Sequence, residues 1–139
     1  MQLSPYLFFN GQCEVALKFY EECLGAKIEA MRTHADTPAE TQMPTQWRDK
    51  ILHARLIVGD QVLLASDAPP DRYEEPKGFF VHLQMKDPAD ADRIFRALAE
   101  DGTVQMPIQQ TFWAPRFGML VDRFGIPWMV HCERPADGG

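Results

Sequence analysis

The chain lacks most of what would mark a secreted, membrane-spanning or nucleic-acid-binding protein. Only 3 of its 139 residues are cysteine, too few for a disulfide framework. Cys13 and Cys23 fall on one expected helix, which would hold them about 15 Å apart at a rise of about 1.5 Å per residue. A bridge needs α-carbons closer than roughly 7 Å. With Cys132, they read as small buried hydrophobes or half-exposed thiols rather than ligands.

Long apolar runs are also missing. None approaches the roughly 20 residues that span a bilayer. "MQLSPYLFFN" has no basic segment leading into an apolar stretch, so no signal peptide is expected and a cytoplasmic location is. No lysine- or arginine-rich run occurs, and the net charge is −6. An acidic surface attracts neither nucleic acid nor an anionic membrane, so neither is an expected partner. Glycine-rich phosphate loops are absent, "FNGQ" not being one. No glycine-rich turn follows a first strand, so nothing supports a methyl-transfer cofactor site.

What remains is ordinary for a globular chain: 45% hydrophobic and 24% charged residues. This length suits one domain that buries roughly two thirds of its unfolded surface. "LSPYLFFN" reads as a buried strand, and "GQCEVALKFYEECLG" as a helix with Cys13, Ala16, Leu17, Tyr20 and Leu24 inward and Gly25 as its stop. "AKIEAMRT" follows as a strand. Residues 34 to 50 contain Pro38 and Pro44 and read as a long loop carrying Trp47. "ILHARLIV", Gly59-Asp60 and "QVLLAS" form a hairpin, because Gly-Asp suits a primed two-residue turn.

After a polar, proline-rich linker the order repeats. Strand "GFFVHLQM" precedes a helix with Asp87 as N-cap, Pro88 in its first turn, an inward stripe of Ala91, Ile94, Phe95 and Leu98, and Gly102 at its end. "GTVQMPI" and a closing hairpin, "FGML" to "PWMVHC" around Asp122 and Gly125, complete it. The fold class is therefore α+β, with two tandem βαβββ modules at 3–67 and 78–133 and a linker at 68–77.

Pairing about the Gly59-Asp60 turn sets the faces of the first hairpin. Leu52, Ala54, Leu56, Leu63 and Ala65 share an apolar face. His53, Arg55, Ile57, Val62, Leu64 and Ser66 share the other, with His53 opposite Ser66, and this mixture suits a solvated sheet or a pocket wall. In the last strand Pro127, Met129 and His131 oppose Trp128, Val130 and Cys132. The strand at 79–85 has no cleanly polar face.

The stretches "FFNGQCEVALKFYEECLGAKI", "ILHARLIVGDQVLLASD" and "FWAPRFGMLVDRFGIPWMVHC", in this order and spacing, resemble the vicinal oxygen chelate superfamily, and within it the PhnB-like group related to glyoxalases and bleomycin-resistance proteins. The resemblance covers roughly residues 3 to 133. It implies a cupped mixed sheet with helices outside, a small-molecule site inside, and a homodimer. Metal-dependent members place ligands on the first and last strands of each module, and these positions fall on Pro5, Leu64, Val81 and Met129, with His82 one place from Val81. Such residues cannot hold Zn²⁺, Ni²⁺ or Mg²⁺, so no metal and no cofactor is expected.

The expected ligand-binding residues are His53, Arg55, Leu64, Ser66, Phe112, Trp113, Arg116 and Met129. Arg55 would grip an anion or carbonyl, and Phe112 and Trp113 beside Arg116 would clamp a flat ligand. The plainer alternative for His53 and Arg55 is a solvated strand edge, and for Phe112 and Trp113 a place in the core. His53 and His131 are the candidate proton-transfer groups, with His131 placed at the rim. The expected function is a metal-free cup that binds a small aromatic or amphipathic molecule, by sequestration. Alternatives are a metal-dependent lyase, isomerase or dioxygenase-type enzyme of the superfamily, or a metal-independent enzyme using His53 or His131.

Overall fold

Two helices of twelve residues each anchor a unit of their own. The computed structural model describes residues 1–36 and 47–134; Pro38 and Pro44 lie outside the described residues. Helix α1, Cys13–Leu24, buries Cys13, Ala16, Leu17, Tyr20 and Cys23. Cys23 thus takes the inward place expected of Leu24, since the i, i+3, i+4 stripe drifts around the helix by the last turn. Gly25 closes the helix at φ 67°, its N–H donating to Glu21 O at 3.0 Å, a left-handed stop that costs glycine little.

Helix α2, Pro88–Ala99, is capped by Asp87, whose Oδ1 accepts from Ala89 N at 2.9 Å. Its buried residues are Ala91, Phe95 and Leu98, and Ile94 is only partly covered. The left-handed residue after the helix is Asp101, at φ 60°, one place before the Gly102 expected to end it. Gly102 is needed for space instead: a Cβ there would run into the backbone of Val121 and Asp122.

The chain divides into two compact units, Met1–Glu74 and Glu75–Gly139. The first holds strands β1 (Tyr6–Phe9), β2 (Lys27–Thr33), β3 (Ile51–Val58) and β4 (Gln61–Asp67), in the sheet order β1-β4-β3-β2. A short 3₁₀ turn, His34–Asp36, follows β2. The second holds β5 (Val81–Met85), β6 (Thr103–Gln109), β7 (Arg116–Val121) and β8 (Pro127–Cys132), in the order β5-β8-β7-β6. In each sheet the first strand runs parallel to the last and the other pairings are antiparallel. Two tandem βαβββ modules are therefore present, each an open mixed sheet with one helix packed on it.

The β3–β4 hairpin has the expected register, with Val58 opposite Gln61 and Arg55 opposite Leu64. Gly59 turns it at φ 63°. One apolar-face position differs. Leu52 is exposed and Ile51 is buried in its stead, because the β2–β3 pairing skips a residue between Arg32–His53 and Thr33–Ile51, and such a bulge reverses the alternation of faces.

A buried carboxylate pins each unit. In the first, Asp67 at the end of β4 accepts from Cys13 N and Ile51 N, both at 2.9 Å, tying the start of α1 to the start of β3. In the second, Asp122 accepts from Phe124 N at 2.8 Å, Ile126 N at 3.0 Å and Trp128 Nε1 at 2.8 Å. All three cysteines are free and buried. Among the described residues no helix is long and apolar enough to cross a membrane.

Candidate functional site

Each sheet has one face under its helix and another turned away from it, and the candidate residues concentrate on the second kind of face. In the first unit, Leu7, Phe9, Ala54, Leu56, Leu63 and Ala65 are buried on the α1 side. Period-2 alternation then sends Tyr6, Leu64 and Arg55, a continuous cross-strand row, to the other. Phe8 and Ser66 form the next row, and His53 sits opposite Arg32 of β2.

The rings of Tyr6 and Phe8 are in tilted contact, with centroids 5.1 Å apart, yet are 41% and 53% exposed. Tyr6 OH lies 3.4 Å from His53 Nδ1. Arg55 is already occupied: its Nε is 2.7 Å from Glu29 Oε1, close enough for an ion pair but outside hydrogen-bond geometry. Ser66 is buried, so it contributes to the wall more than to contact.

In the second unit, Val81, Trp128 and Leu120 pair in one row and Leu83, Val130 and Gly118 in the next, on the α2 side. Gly118 is the contact point, where a Cβ would approach Phe95 Cε2 to 2.6 Å. The far face carries His82, Met129, Met119 and Met106 in one unbroken row across all four strands, and Gln84, His131, Phe117 and Gln109 in the row beside it.

Rings then run in contact across this face. Centroid separations are 5.4 Å for His82–His131, 5.9 Å for His131–Phe117, 5.4 Å for Phe117–Trp113 and 4.8 Å for Trp113–Phe112. The last two rings are presented by a turn in which Thr111 N donates to Ala114 O and Ala114 N to Thr111 Oγ1. Phe112 is 89% exposed and Trp113 45%, so neither is core. Partial desolvation of the otherwise exposed His82, and secondarily the neighbouring His131, lowers its pKa below the ordinary histidine value.

Three sequence expectations need correction. Arg116 pairs with Cys132 on the α2 side, and its Nε donates to Asp92 Oδ1 at 3.1 Å. It braces the helix and does not join Phe112 and Trp113 in a clamp. Tyr6, not Pro5, stands opposite Leu64, with Pro5 preceding the strand. His82, not Val81, stands opposite Met129. Sequence reasoning also passed over Tyr6, Phe8 and Phe117 as face residues. Strand alternation held the signal for them, but it needed the true start of each strand.

With that register, the strand pairs at the positions that the resemblance assigns to metal ligands are Tyr6–Leu64, a phenol and an aliphatic chain, and His82–Met129, an imidazole and a thioether. Among the described residues no three His, Cys, Asp or Glu side chains converge. This donor set does not fit a hard divalent ion, which wants oxygen ligands.

Comparison with known proteins agrees with the topology. YjdN of Escherichia coli (strain K12) is 34% identical, over 94% of this chain and 95% of that protein. The crystal structure of PA1353 from Pseudomonas aeruginosa is 49% identical, over 97% and 99% of the two chains, with a TM-score of 0.88. A PhnB protein from Bacillus cereus shares the fold at 19% identity, over 95% and 99%, with a TM-score of 0.80. The model of the glyoxalase/bleomycin resistance protein/dioxygenase superfamily matches residues 2–130, and the chain belongs to that superfamily.

Proposed function

We propose that the chain binds a small aromatic or amphipathic molecule and acts by holding it, without a hard divalent metal. The observation that carries this reading is the run of rings from Phe112 through Trp113, Phe117 and His131 to His82, bordered by three methionines. The rings meet tilted or edge to face, with planes 59–83° apart, so they offer both faces and edges to an aromatic or amphipathic ligand, and thioethers adapt to its outline. The first unit's face of Tyr6, Phe8, His53 and Leu64 is a second surface of the same kind. A PhnB-like grouping, a homodimeric state and a cytoplasmic location belong to the same proposal. So does the absence of nucleic-acid partners, which the net charge of −6 favours.

The test is a fluorescence titration with 1-anilinonaphthalene-8-sulfonate as probe. Saturable binding is expected, weakened about two- to tenfold by Trp113→Ala, since an aromatic contact of this kind is worth about 0.5–1.5 kcal/mol. Equal titration of parent and variant, or no saturation, would overturn the reading. The Tyr6–His53 contact favours a second reading, metal-independent proton transfer by His53, which requires that His53→Ala abolish turnover.

A further inference from the structure

His82 and Met129 are cross-strand partners on β5 and β8, and His131 is two residues beyond Met129 on the same face. Adjacent strands lie about 4.8 Å apart, and residues i and i+2 roughly 6.6 Å, so the three side chains are near neighbours on one face. The two imidazoles are already in contact, with centroids 5.4 Å apart and planes at 59°. A ring nitrogen binds a metal at about 2.0 Å, which puts the ring centroid about 3.1 Å from the ion. If each ring turns one nitrogen to a shared ion, the 5.4 Å centroid separation corresponds to roughly 120° at the ion, an angle open to three-coordination.

Two imidazoles and a thioether are soft or borderline, uncharged donors, which disfavours hard divalent ions and suits a soft monovalent one. The carboxylate of Glu133, the residue after β8, accepts from Gln84 Nε2 at 2.8 Å. Met119 and Met106 continue the row beyond Met129, so thioethers lead from the strand edge to the two histidines. Among the described residues neither imidazole has a hydrogen-bond partner that an ion would have to displace.

We propose that His82, His131 and Met129 hold one soft monovalent metal ion, copper(I) or silver(I), on the face of the second sheet turned away from α2. The proposal goes beyond the aromatic-ligand reading and does not depend on it. No redox step is involved, because the ion arrives and leaves in its monovalent state.

Silver(I) nitrate in chloride-free buffer is the probe, added to the full chain and followed by NMR of histidine rings and methionine methyls. The His82, His131 and Met129 resonances are expected to move together and saturate at one ion per chain. Met129→Leu and His82→Asn, the second at an exposed position, should each weaken binding by about tenfold or more, as loss of a metal-supporting group does. Silver uptake that leaves these resonances still, as capture by the buried thiols would, overturns the proposal. So does a Met129→Leu chain that binds like the parent. Loss of silver binding with dye binding intact removes only the ion, and the reverse outcome removes only the aromatic ligand.

Discussion

Trp128 Nε1 donates to Asp122 Oδ2 at 2.8 Å while Oδ1 of the same carboxylate accepts two backbone N–H groups of the turn that leads to Trp128. Both residues are buried, Trp128 completely. The turn, the strand after it and the largest side chain beneath α2 are therefore fixed by one group.

Asp122→Ala leaves three donors without their acceptor. A stranded buried donor costs about 1–3 kcal/mol, and the backbone pair can recover water, so a loss of about 3 kcal/mol is expected. Urea unfolding followed by tryptophan fluorescence measures it. A change below about 1 kcal/mol would mean that the turn holds without its carboxylate.

Gly118→Ala forces a methyl to 2.6 Å from Phe95 Cε2 and 2.9 Å from Ile108 Cα. Overpacking of this kind costs about 1–3 kcal/mol. Combining it with Phe95→Leu should return part of that stability, not all, because the Ile108 contact is to backbone. A double variant no more stable than Gly118→Ala would show that the ring is not the obstacle.

Cys13 stands in the first turn of α1, where a thiol is often made acidic, yet burial and then the nearby Asp67 and Glu14 carboxylates push its pKa far upward. The folded chain therefore keeps a proton that the unfolded chain releases above its ordinary value of about 8.5. The stabilisation is complete below that pH and falls above it, by about 1.4 kcal/mol per pH unit for this one thiol. Cys13→Ala should flatten the decline between about pH 9 and pH 10.5 in urea-unfolding measurements. An unchanged slope would place the sensitivity elsewhere.

The sequence made the fold legible where local chemistry decides it. Gly59-Asp60 between two alternating runs determined the hairpin and its register, and Asp87-Pro88 the start of α2. The faces were harder, since a slip of one residue exchanges them. Pro5 and Val81 were each one place off for that reason, and a bulge near Arg32 turned Leu52 outward. Arg116 beside two aromatics in sequence suggested a clamp, but its face is set by pairing with Cys132, which no local pattern encodes. The His82–His131 contact joins strands far apart in sequence through a parallel pairing, so periodicity alone could not bring those rings together.

That parallel closure has a consequence for the chain as it is synthesised. Tyr6 has no strand partner until the ribosome has passed Leu64, nor Val81 until it has passed Trp128, although the β3–β4 hairpin can form from neighbours alone. Non-local pairing delays folding, and an unpaired strand edge is where a nascent chain is captured by its neighbours. Because β1 carries Tyr6 and Phe8 on its uncovered side, the rings proposed to meet a ligand are also in need of protection while the first module waits for its fourth strand.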